Sequence, residues 1–249
     1  MTNVVEAELR ERMSEAAPVR RTSERGEFLA GAAIALTLVA IGFGRGFLPG
    51  ATPQPRSRAP IVLLHAAVFA CWIVLFAIQA SLIAAGRRRL HRQLGVLGGL
   101  LAAAMLVLGL AVSVHAARTG FAPIPGVDPL RFLIIPIGDV AVFATLVAAG
   151  LYCRHTPNVH KRLMWLATMD LLFAAITRLP GVPGRPVLIG GFFLFVLAFA
   201  PVYERVVVGR SHRVSLWGSV AVFLSIPARD AFAATSMWHS FAVWLVGSR

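Results

Sequence analysis

The sequence predicts an all-α, polytopic transmembrane helical bundle of about seven spans with its N-terminus in the cytoplasm. Three observations predict it. Apolar residues make up 57% of the 249 positions and charged residues 14%, with a mean hydropathy of +0.75, outside the range of water-soluble domains. The apolar residues fall into runs near the roughly 20 residues that a helix needs to cross hydrocarbon, where unpaired backbone groups find no water. The basic residues, which give a formal charge of +13, lie almost entirely between those runs. That placement is a topological signal and excludes a nucleic-acid footprint.

The elements follow in order. Residues 1–27 mix Glu6, Glu8, Glu11, Glu15, Glu24 and Glu27 with five arginines, unlike a cleavable leader, and read as a polar cytosolic tail. The spans cover 28–47, 60–85, 94–116, 131–152, 163–179, 187–207 and 214–233, so the bundle occupies 28–233. The joints "LPGATPQPRSRAP", "TGFAPIPGVDP" and "LPGVPGRP" carry the Pro and Gly that break helices. The fifth span, "LMWLATMDLLFAAITRL", is short and polar for a lipid-facing helix and should pack among its neighbours. The last segment, 234–249, is amphipathic, carries Trp238 and Trp244, and reads as interfacial.

Orientation comes from counting Lys and Arg. Fifteen lie on the side of the tail, 86–93, 153–162 and 205–213, and nine on the other, so the first side is cytoplasmic. On that side His91-Arg92, His160-Lys161-Arg162 and His212-Arg213 each stand at the entrance of an outgoing helix, where anionic lipid headgroups are the expected partners. Cys71 and Cys153 form no CxxC pair or zinc pattern, and no metal site is expected. Walker, dinucleotide-binding, HExxH and GxSxG motifs are absent, which leaves hydrolase and nucleotide chemistry without support.

Ionisable groups at membrane depth are costly and face inward toward partners. After residue 27 only Asp128, Asp139, Asp170, Glu204 and Asp230 are acidic. Asp139 lies eight residues from Arg131 and Asp170 eight before Arg178, which puts both about 12 Å below the outer surface. His65 and His115 stand near that level, and His65, Trp72 and Gln79 share a face. An outward-opening polar cavity of His65, Gln79, His115, Asp139, Asp170 and Arg178 is therefore expected; the plainer reading is interhelical hydrogen bonds with one buried Asp–Arg pair.

Three function classes follow. Histidines at matched depth, His65 with His115 or His91 with His160, have the placement of axial ligands to a b-type haem, making a small membrane redox protein. Asp139, Asp170 and a histidine suit a proton-coupled transporter or channel. A non-catalytic assembly subunit with a membrane-protein partner is the third. Met164 and Met169 beside His160 are soft enough for copper, though methionine more often fills a packed helix.

The runs "LHRQLGVLG" (90–98), "HKRLMWLATMDLLFAAITRLP" (160–180) and "YERVVVGRSHRVSLWG" (203–218) resemble a group of uncharacterised bacterial multi-pass membrane proteins. The resemblance implies a bacterial inner-membrane location and a helical bundle, and it transfers no activity. More loosely, the histidines at helix ends look like the cytochrome b561 type of membrane haem protein, which has fewer spans and lacks the basic residue after each inner histidine.

Overall fold

The computed structural model describes residues 26–44, 59–122 and 126–247, and among them it is all-helical, with no strand. The chain runs through α1 (Gly26–Gly44), α2 (Pro60–Ala84), α3 (Arg88–Arg118), the single turn α4 (Pro129–Phe132) and α5 (Ile134–Tyr152). After a 3-10 turn come α6 (Pro157–Asp170), α7 (Leu172–Ile176), α8 (Pro186–Val207), α9 (Arg213–Ala233) and α10 (Ser236–Val246). Several starts are written locally. Asp128 accepts from the Leu130 amide ahead of Pro129, and Thr235 caps α10 through the Trp238 amide.

Five of these helices are long and apolar enough to cross a membrane: α1, α2, α3, the α4–α5 unit and α8. Their outward faces carry large apolar side chains such as Leu64, Val96, Leu100, Val107, Phe195 and Val202, which water would not tolerate in such density and lipid does. The two segments that fall short of the seven expected spans are α6–α7, whose helices have 14 and 5 residues, and α9, and composition adds to the reason. Both carry polar residues that face protein rather than lipid: on α6 Arg162, Thr168 and Asp170 are buried, and on α9 Ser215 and Ser219. Gly26 and Glu27, expected in the tail, belong to α1; residues 1–25, 45–58, 123–125 and 248–249 lie outside the described residues.

The helices pack α2 on α3, α3 on α5, α5 on α6, and α9 against α5, α6 and α8. Glycines let them approach closely. A Cβ on Gly31 would overlap the Trp165 indole, one on Gly109 would fall 2.6 Å from Val140, and one on Gly218 would overlap Leu166. The core they enclose centres on Trp165, Leu166, Leu172, Phe143, Phe193 and Leu197. A smaller cluster around Leu133, Ile134, Trp238 and Ala242 seats α10, which at 11 residues is about 16 Å long and too short to cross.

Candidate functional site

Three helices bring three ionisable groups together near the α4/α10 end of the bundle. Asp139 comes from α5, Asp170 from the last residue of α6 and Arg229 from α9. Arg229 Nη1 donates to Asp139 Oδ1 at 2.7 Å and to the Ile135 carbonyl at 2.8 Å, while its Nε donates to the Ser225 carbonyl and its Nη2 to Ser225 Oγ, each at 3.1 Å. Both side chains of the pair are nearly buried, at 12% and 13% exposure. The approach depends on Gly138, where a Cβ would overlap the Arg229 guanidinium.

Asp170 has 0% exposure, and both of its carboxylate oxygens are buried with no hydrogen-bond partner among the described residues. It lies within electrostatic reach of Asp139 and Arg229. Only Leu171, itself with helical backbone angles (φ −62°, ψ −20°), separates the end of α6 from the start of α7. Two carboxylates and one guanidinium leave this cluster one negative charge over when all three are ionised.

Asp139 and Asp170, expected at one depth, stand on the adjoining helices α5 and α6 within electrostatic reach of each other. Three other expectations need correcting. Arg178 is not the partner of the buried carboxylates: its guanidinium lies 4.9 Å over the Phe43 ring and donates to the Ala174 carbonyl, and Arg229 pairs with Asp139 instead. Gln79 is not in the cluster. It shares a helix face with His65 but lies roughly 21 Å along α2 from it, and donates to the His91 carbonyl at 3.2 Å. The cluster is also largely buried rather than set in an open cavity, with Asp170 at 0% exposure and the Asp139 and Arg229 side chains at 13% and 12%. The two cavities at this end, of about 400 and 320 Å³, are lined by Asp128, Arg131, Trp238 and His239 and by Ala117, Leu130 and Val246, without Asp139 or Asp170.

The four histidines part into two situations. His65 packs beside Phe69, with ring centroids 6.5 Å apart, and His115 is half-buried near the end of α3; no ring contact joins the two among the described residues. His91 and His160 do meet, with ring centroids 6.4 Å apart at the opposite end of the bundle, and His160 Nδ1 lies 2.7 Å from the Gly150 carbonyl. Met169 is fully buried in the core and Met164 packs on Gly150. Among the described residues no three His, Cys, Asp or Glu side chains gather as a metal site.

A second buried ion pair sits at that opposite end. Glu204 on α8 and Arg162 on α6 are 1% and 5% exposed and meet at 2.6 Å. Arg162, expected to meet lipid headgroups with its neighbours, is thus an interior residue. His212 beside them caps α9, its Nδ1 accepting from the Val214 amide at 3.1 Å. Burial, then the Arg162 charge, holds the His212 imidazole below its ordinary value, against the opposing pull of Glu204.

Sequence reasoning missed Arg229, read as one of the outer topological charges. Its signals were present: it stands four residues inside the end of α9, and Gly138 adjoins Asp139. No family model, curated protein or solved structure matches this chain, so its function is argued from this geometry.

Proposed function

We propose that the protein is a seven-crossing integral protein of a bacterial inner membrane, N-terminus in the cytoplasm, in which Asp170 takes up and releases a proton as part of a proton-coupled transporter or channel. The observation that carries this reading is the fully buried Asp170 carboxyl, unpartnered and next to an Asp139–Arg229 pair that is already satisfied. An uncompensated charge in such surroundings costs several kcal/mol. The cluster lacks one positive charge, and a proton on a carboxyl oxygen supplies it without needing the ring of oxygen ligands a metal cation takes.

The orientation is supported by the Lys and Arg bias, which survives the burial of Arg162 and Arg229 because they remove one count from each side. Arg87, Arg88, Arg89 and Arg92 at the exposed start of α3 then meet anionic headgroups. The test is proton flux in vesicles reconstituted with the purified protein. Asp170→Asn abolishes it while the protein still folds; undiminished flux in that variant removes the proposal.

A second reading rests on the His91–His160 ring contact. With His160 Nδ1 against a backbone carbonyl, its Nε2 is left to face a ligand, the arrangement that orients ligating imidazoles. A b-type haem held there would supply one-electron transfer. A Soret band in the purified protein, lost in His91→Ala and in His160→Ala, is the outcome this reading requires.

A further inference from the structure

We infer that the Arg162–Glu204 pair is a gate that closes the second end of the path to Asp170, with Pro201 as its hinge. The inference rests on the proton-transport reading and concerns groups that reading does not use. Glu204 gathers three helices and a joint onto one carboxylate. Its Oε1 accepts from Arg162 Nε at 2.6 Å, from Arg162 Nη2 at 2.6 Å and from Ser215 Oγ at 2.9 Å, and its Oε2 accepts from the His212 amide at 2.7 Å. Arg162 is in turn held by donation to the Asn158 carbonyl at 2.7 Å and to Ser215 Oγ at 3.1 Å.

The same two helices carry both ionic clusters. Arg162 and Asp170 are eight residues apart on α6, about 12 Å, and Ser215 and Arg229 stand toward opposite ends of α9. Between the clusters lies Ser219, 6% exposed, donating to the Leu197 carbonyl at 2.7 Å. That carbonyl is free because Pro201, four residues on, has no N–H to give it. Proline thus breaks the α8 hydrogen-bond ladder one turn before Glu204. A helix interrupted there can bend, and what holds its last turn against α6 and α9 is the Glu204 carboxylate. Separating Arg162 from Glu204 frees that turn and opens Ser219 to water.

A buried ion pair is seldom a better source of stability than apolar side chains of the same volume, whereas a pair that can form and break suits a switch. The described arrangement is the closed state of this gate. Opening it must occur in each transport cycle if Asp170 is to exchange its proton with both sides.

The test uses the full chain with Cys71 and Cys153 replaced by Ala and Ser219→Cys as a buried reporter, in detergent, with a small charged methanethiosulfonate reagent as the probe. With the pair intact the reporter reacts slowly; Glu204→Gln speeds its modification roughly tenfold or more, since an amide leaves Arg162 as a buried charge without its counter-ion. Unchanged slow labelling in a folded Glu204→Gln protein overturns the gate. If that variant does not fold, Ser215→Ala, which removes one contact to the pair and keeps both charges, is expected to speed labelling several-fold, and no change there overturns the gate as well. The labelling needs no proton flux, so loss of the gate and loss of the Asp170 assignment are read in separate experiments.

Discussion

Arg229 of α9 crosses onto α5 beside Gly138 and donates to Asp139 at 2.7 Å, so the buried ion pair exists because the neighbouring residue has no side chain. Adding one methyl group there moves either the guanidinium or the helix. Gly138→Ala is expected to cost about 1–3 kcal/mol, the range for overpacking a filled interior. Thermal unfolding in detergent measures it, and an undiminished midpoint would mean that Arg229 relaxes freely.

Breaking the pair from one side leaves the other charge buried. Arg229→Gln is expected to destabilise by about 3–5 kcal/mol because it leaves Asp139 without its counter-ion, Asp139→Asn is expected to cost less because Asp170 can ionise within reach of Arg229 in its place, and the double variant recovers much of the Arg229→Gln loss. Additive effects in the double-mutant cycle would deny the coupling.

The Leu197 carbonyl offers a second cycle. Ser219→Ala is expected to cost about 1 kcal/mol where Pro201 is present, because a buried acceptor loses its donor. In a Pro201→Ala background position 201 regains an N–H, the carbonyl has a backbone donor, and the cost of Ser219→Ala shrinks toward zero. Equal costs in both backgrounds would show that the serine does not stand in for the missing backbone bond.

His212 gives a pH signature outside the membrane-spanning segments. Its imidazole is held below 6.5, first by burial and then by Arg162, with Lys161 and Arg210 adding to the shift and Glu204 opposing it. The unfolded chain therefore binds the proton more readily than the folded one, and stability falls as pH drops through 6.5 toward the lower folded value. His212→Asn keeps a capping acceptor and is expected to flatten that part of the pH profile. A profile unchanged by the substitution would assign the acid sensitivity elsewhere.

Depth counting found the two buried carboxylates because so few acids follow residue 27 and each lies a fixed number of residues from a helix end. The same counting kept Arg229 at the surface, because a charge four residues from the end of a helix looks like a loop charge until its partner is known. Gln79 was assigned to the wrong end: a spacing of seven fixes a shared helix face and says nothing of a shared level. The polar, short α6 was legible as an interior helix, since a segment that lipid cannot solvate must be solvated by its neighbours. Glu204 was legible as one of the five acids after residue 27, but which cation it would bury against depends on how α6, α8 and α9 cross, and that crossing is set by glycine contacts distributed along the chain.

The measurement that bears most directly on the account is infrared difference spectroscopy of the carboxyl groups in the reconstituted protein. The account predicts a protonated-carboxyl C=O stretch that vanishes in Asp170→Asn and persists in Asp128→Asn, the exposed control. A wild-type spectrum without that band, or a band untouched by Asp170→Asn, would contradict it.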